Sequence, residues 1–173
     1  MAQDARFLRE VTLGKRIGLY KFRCDLGTGN FSKVKLGYHQ LAHGKLASLW
    51  FGNVSSVNVL TYVPERVAIK IIDKMGMDHR SSRMLSREIE TMDRVRHPFI
   101  VRLYEVLETI SKVYLVMEVA PGGEVFTHVN KNGPFSEKVA QNLFSQLVSA
   151  VAYMVTQNNR NRSIPYLSVM SWL

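Results

Sequence analysis

An alternation of period two, Val34, Leu36 and Tyr38 against Lys33, Lys35 and Gly37, follows directly on two glycines at positions 27 and 29. Side chains two apart share one face of a strand, so the stretch from Ile17 to Tyr38 predicts strand, glycine turn, strand. That restricts what the glycines can do. A dinucleotide-binding fingerprint needs its glycines to open a helix, and a Walker loop needs Gly-Lys-Ser/Thr. The run "DLGTGNFSKVKLGYH" at residues 25–39 meets neither condition.

A second strand is expected at "RVAIKIID", residues 66–73, with Val67, Ile69 and Ile71 on one face and Ala68, Lys70 and Ile72 on the other. Lys70 therefore lies on a largely apolar face. The spacing turns helical in "SSRMLSREIETMDRVRH" at 81–97, where Leu85, Ile89 and Met92 form a stripe and Ser81 or Ser82 is the expected cap. Glu88 sits on the edge of that stripe, where a carboxylate wants a cation. Residues 99–109 and 112–120 read as two more strands. "PGGE" at 121–124 breaks the pattern before a short helix that is expected to end around "NKNGP" at 130–134. From Ser136, a good N-cap, "SEKVAQNLFSQLVSAVAYM" predicts an amphipathic helix with Val139, Leu143, Leu147, Val151 and Met154 on its apolar side.

With 46% hydrophobic and 21% charged residues in 173, the chain has the composition of a globular domain or part of one. A net charge of +9 would suit nucleic acid if it were clustered. The Lys and Arg residues are instead scattered from Arg6 to Arg162 with no zinc-finger spacing, so no nucleic-acid partner is expected. A single cysteine, Cys24, and a charged first segment without an apolar signal region fit a reducing, cytoplasmic setting. The charge-free run from Leu46 to Val63 is interrupted by Asn53 and Asn58 and reads as non-membrane.

Five stretches, "LGTGNFSKV", "VAIKI", "SREIETM", "RHPFIVRLYEV" and "YLVMEVAPGGEVF", stand in an order and spacing that resembles the small lobe of eukaryotic protein kinases. Singly, each has an ordinary reading as a hairpin turn, a solvated lysine, a water-facing glutamate or a core methionine. Their joint order carries the resemblance. Ser32 in place of a third glycine, and the "RHPFIVRLYEV" stretch, are similar to the AMP-activated and microtubule-affinity-regulating relatives of the calmodulin-dependent kinase group, with the Nim-one type nearest.

The resemblance implies an α+β fold: a small lobe of antiparallel sheet plus one helix, followed by the first helices of an incomplete large lobe. It implies ATP as the ligand and protein serine or threonine as the acceptor. Gly27 and Gly29 would let backbone approach the triphosphate, with Asn30 to Ser32 as the tip of the turn. Leu26, Val34 and Ala68 would belong to the nucleotide site, Val34 and Ala68 covering one face of the adenine. Lys70 would bind the α- and β-phosphates and Glu88 would pair with it. Met117 matches the position behind the adenine, the backbone of Glu118 and Ala120 the segment that bonds the base edge, and Glu124 the acidic position near the ribose or a basic substrate residue.

Two stretches depart from the family pattern. The expected organisation is an N-terminal extension at 1–16, a small lobe at 17–120 with an insertion at about 42–64, a hinge exit and first large-lobe helices at 121–154, and a non-family tail at 155–173. A translated intron or an alternative transcript would account for both the insertion and the tail. Residues 94–173 contain no Asp, and no carboxylate follows Glu137. Magnesium is expected for the family, but its ligands and the catalytic Asp cannot be placed, so the chain is expected to bind ATP without transferring phosphate. The alternative is a nucleotide-binding or protein-interaction module without chemistry. It would engage a partner through helix 136–154, whose Leu143, Leu147 and Val151 are expected to lie open, leaving the fold marginally stable.

Overall fold

A computed structural model describes residues 9, 11–29, 32–40 and 65–161. The expected insertion at 42–64, Asn30 in the glycine turn and residues 162–173 of the expected tail lie outside the described residues. The elements run β1 (Arg16–Ile17), β2 (Tyr20–Thr28), β3 (Ser32–His39), β4 (Arg66–Asp73), α1 (His79–Arg94), β5 (Leu103–Glu108), β6 (Lys112–Met117), α2 (Val125–Asn132) and α3 (Glu137–Asn161). The chain divides into two compact units, Met1–Met75 with Tyr104–Glu118, and Gly76–Leu103 with Val119–Leu173.

The first unit is built on an antiparallel sheet of six strands in the order β1-β2-β3-β4-β6-β5. β4 occupies the residues expected for it, and its alternation is realised: Val67 and Ile69 are fully buried on one face with Val116 and Tyr20. Ile17, Phe22, Ile71, Tyr104, Leu107 and Tyr114 close around them. Phe22 and Tyr114 stack with ring centroids 6.3 Å apart. Gly37 pairs with Val67 on this face, and a β-carbon there would come within 3.1 Å of Ile69 Cγ1 and 3.2 Å of Val67 Cγ2. Only glycine lets β3 lie this close over the two side chains.

One polar pair is set into this core. The Tyr20 hydroxyl donates to Glu105 Oε2 at 2.7 Å, and Tyr20 is 1% exposed. Burial raises the Glu105 carboxyl above its ordinary range, with the Tyr20 hydrogen bond acting the other way. Burial, then the hydrogen bond to Glu105 and its charge, push the Tyr20 hydroxyl up.

In the second unit α1 begins at His79, before either expected cap. Asp78, not Ser81 or Ser82, is the N-cap, and its Oδ1 accepts the Ser81 N–H at 2.8 Å. A carboxylate serves better here because it also meets the positive end of the helix. Hydrogen bonding from the Ser81 side chain, and then from its N–H, holds the Asp78 carboxyl below its ordinary range. β5 and β6 are shorter than the sequence suggested, and α2 ends at Asn132 with Gly133 at φ +85°.

Helix α3 follows Ser136, whose carbonyl accepts the Ala140 N–H at 2.9 Å, and runs to Asn161, past the Met154 expected as its end. Its buried face is also turned from the expected one. Leu143 and Ala150 are buried, and Ala150 packs with Val95 and Ile100, flanked by Phe99, Tyr153 and Met154. Val151, placed by the sequence on the same stripe as Leu143 and Leu147, is 43% exposed, and Leu143 is not open but buried. The reason is helical phase: seven residues fall about 20° short of two turns, whereas eight overshoot by about 80°. Ala150 therefore faces the way Leu143 does, and its small side chain admits the 95–100 segment. The Arg96 N–H donates to the Tyr153 hydroxyl at 3.3 Å, and His97 Nε2 lies 3.3 Å from Ser149 Oγ.

Two outcomes follow for stability. Gly37→Val should lower unfolding free energy in urea by about 1–3 kcal/mol through overpacking against Ile69 and Val67. For Glu105 the folded carboxyl titrates higher than the unfolded one, so its contribution is most favourable in acid and is lost as pH rises through the folded value. Glu105→Gln keeps an acceptor for Tyr20 without the charge. Its stability relative to the native chain should therefore improve between about pH 4 and pH 7, and a flat difference would contradict the raised carboxyl.

Candidate functional site

The sheet face opposite the Tyr20–Ile69–Val116 core carries most of the expected ligand-facing residues, and strand register brings them together. Val34 pairs with Lys70 across β3 and β4, Lys70 with Leu115 across β4 and β6, and Gly27 with Val34 across β2 and β3. Directly paired residues point to the same side, so Gly27, Val34, Lys70 and Leu115 form one row across four strands. Two residues along, Leu36 pairs with Ala68 and Ala68 with Met117, which puts a second row on the same face. Lys70 is half-buried between fully buried Leu115 and half-buried Val34.

The glycine turn forms a hairpin, as its strand-like flanks required. The Gly29 N–H donates to the Ser32 carbonyl at 2.7 Å. Register shifts in β2 between Phe22 and Asp25, and again between Asp25 and Gly27, mark bulges that bend this arm. At its base the Lys35 ammonium donates to Asp25 Oδ1 at 2.5 Å, and that bond, with the charge of Lys35, holds the Asp25 carboxyl below its ordinary range. A β-carbon at Gly27 would meet nothing within 4 Å, and φ is not positive there. Neither packing among the described residues nor backbone conformation calls for glycine at 27, unlike 37. A bare strand edge with open space above it can approach an anion closely and offer its N–H groups.

Of the other expected residues, Leu26 and Glu118 belong to the first unit, and Glu88, Ala120 and Glu124 to the second. Leu26 is 49% exposed, next to Gly27 in β2. Glu88 is half-buried on α1, which belongs to the second compact unit. Glu118 follows β6 at the end of the first unit, and Ala120 opens the turn whose carbonyl accepts the Gly123 N–H at 3.3 Å. Glu124 caps α2 by position, exposed, with one carboxylate oxygen accepting from the Thr127 hydroxyl at 3.4 Å. Leu36 and Leu115 were missed as members of the face. The alternation contained the signal, since they lie two residues from Val34 and Met117 respectively.

Among the described residues no three His, Cys, Asp or Glu side chains are grouped to hold a metal ion, and no described helix is long and apolar enough to cross a membrane.

The protein kinase domain family model matches residues 45–162. The match takes in β4 with Lys70, α1 with Glu88, and β6 with Met117, and begins downstream of the glycine hairpin. The serine/threonine-protein kinase SIK3 homolog of Danio rerio is 38% identical over 138 residues, 80% of this chain and 10% of that protein. The serine/threonine-protein kinase SIK2 of Gallus gallus is 37% identical over 138 residues, 80% of this chain and 15% of that protein. "Probable serine/threonine-protein kinase MARK-A" of Dictyostelium discoideum is 37% identical over 148 residues, 86% of this chain and 12% of that protein. The chain thus spans between 10% and 15% of the length of these relatives.

The contrast between the two glycines is open to measurement. Gly27→Val should leave the unfolding free energy in urea unchanged to within about 0.5 kcal/mol, because no described atom stands within 4 Å of the new β-carbon. A loss as large as that of Gly37→Val would show that Gly27 serves packing.

Proposed function

The chain belongs to the protein kinase domain family, in its AMP-activated and microtubule-affinity-regulating branch, and on that premise we propose that its sheet face is the ATP-binding side of a serine/threonine kinase small lobe. The observation that carries this reading is the shared face: Gly27, Val34, Lys70, Ala68 and Met117 come from four strands and converge through register alone. In this reading the Lys70 ammonium binds the α- and β-phosphates, where a cation on an otherwise apolar surface is only weakly screened. The bare backbone at Gly27 and Gly29 lies along the triphosphate. Leu26, Val34 and Ala68 enclose the adenine, Met117 lies behind it, and the backbone of Glu118 and Ala120 bonds its edge. Glu88 pairs with Lys70, and Glu124 meets the ribose or a basic residue of the protein substrate.

ATP with magnesium supplies the phosphoryl group in this family's chemistry. What this chain's residues contribute is binding and orientation. Proton acceptance from a substrate hydroxyl needs a carboxylate that cannot be assigned after Glu137. The chain by itself is therefore proposed to bind nucleotide in a cytoplasmic setting without turnover. A second reading, a module that binds protein and performs no chemistry, is favoured by one observation, the apolar side chains left open along α3.

Lys70→Met tests the first reading. It should fold like the native chain and weaken ATP binding, followed by isothermal titration, about tenfold through loss of one charge-assisted contact. Unchanged affinity would remove Lys70 from the site. With labelled ATP, magnesium and a basic peptide, the native chain should transfer no more phosphate than Lys70→Met, and turnover above that control would overturn the proposed inactivity.

A further inference from the structure

Helix α1 sorts its charges by face. Leu85, Ile89 and Met92 form its apolar side, Met92 buried and the other two half-buried. On the opposite side Arg80, Arg83 and Arg87 are all exposed. At about 100° per residue the three fall within about 60° of arc, in steps of about 4.5 and 6 Å along the axis. Three cations thus share one line over two turns.

An ordinary solvated face mixes its signs, because opposite charges three or four residues apart support a helix and like charges at that spacing weaken it. Arg80 with Arg83, and Arg83 with Arg87, are like-charge pairs at these spacings. Arg80 and Arg83 also stand at the positive end of the helix, where cations are unfavourable. The first turn holds no acid, and the carboxylate of the Asp78 cap accepts the Ser81 N–H. Among the described residues no carboxylate forms an ion pair with any of the three arginines. Arg83 Nε donates to His79 Nδ1 at 3.1 Å, which leaves both terminal nitrogens of that guanidinium for another acceptor.

We propose that Arg80, Arg83 and Arg87 are a docking line for an acidic helix of another protein, one that carries carboxylates on consecutive turns. The planar guanidinium takes a carboxylate through two hydrogen bonds, and three of them in a row ask for three anions in a row. Spacing favours a helix as the partner. Carboxylates at i, i+3 and i+7 repeat the steps of 4.5 and 6 Å, whereas one face of an extended chain advances by about 6.6–7 Å. Nucleic acid fits less well. Helix α1 carries four Arg against three Asp and Glu, so few condensed counterions would be released by a polyanion laid along it. Glu90, exposed and about 20° of arc from Arg83, would also meet any phosphate backbone that continued past Arg87. A partner whose acidic run is two turns long avoids it.

The test uses the full chain and a fluorescein-labelled helical peptide with glutamates at i, i+3 and i+7, followed by anisotropy. Arg80→Ala, Arg83→Ala and Arg87→Ala combined should weaken binding about tenfold. A control that removes the same charge elsewhere, Arg66→Ala with Lys131→Ala and Lys138→Ala, should change it by less than about twofold. The first triple variant should also unfold at a higher urea midpoint than the native chain, since alanine favours the helix and the like-charge pairs are gone. That gain separates lost docking from lost folding. Equal weakening by the two triple variants would reduce the effect to net charge and overturn the proposal. Failure of the native chain to bind the peptide at about 1 mM would do the same. So would tighter binding, lost in the first triple variant, of a DNA duplex, which would assign the line to phosphate.

Discussion

The register of β4 between β3 and β6 is the constraint on which the first unit depends. A strand's faces alternate at every residue, so a slip by one position would drive Lys70 into the place held by Ile69 and turn Ile69 outward. Burying an ammonium among Val67, Val116 and Tyr20 would cost several kcal/mol, and the carboxylate set beside them, Glu105, already accepts from the Tyr20 hydroxyl. The apolar face thus enforces the polar one. Val67 and Ile69, fully buried, hold the ladder in the only register that leaves Lys70 beside Val34 and Leu115.

Glycine has two opposite uses in the same pair of strands. At 37 the missing side chain is required by neighbours that approach to about van der Waals contact with the backbone, so the residue belongs to the core. At 27 no atom of the described residues comes within 4 Å of where a β-carbon would stand. The bulges in β2 and the Lys35–Asp25 pair at the base of the hairpin bend and brace the arm that carries this open backbone. The pair is exposed and salt-sensitive, and it contributes orientation more than stability.

In α3 the division of faces follows from a small residue. Ala150 lets the 95–100 segment lie against the helix, with the Arg96 N–H on the Tyr153 hydroxyl and His97 beside Ser149. The phase that this contact selects leaves Phe144, Val148, Val151 and Val155 outward. The helix thus has apolar residues on two sides, and the 95–100 segment packs on one of them.

Much of this was legible from local pattern. The span of β4, the facing of Lys70, the hairpin nature of the glycine turn and the stop of α2 at Gly133 each depend on periodicity or on one residue's conformational range, which the sequence carries in full. The Asp78 cap was legible in principle, and was missed because two serines just inside the helix offered the same chemistry. What tertiary structure alone decided is which partner each face meets. That Gly37 is a packing glycine and Gly27 is not depends on where Ile69 and Val67 lie, thirty residues further along the chain. That α3 buries Ala150 rather than Val151 depends on how closely a distant segment approaches. Periodicity names the faces of an element; only the distances between elements say which side chain is small enough to be inside.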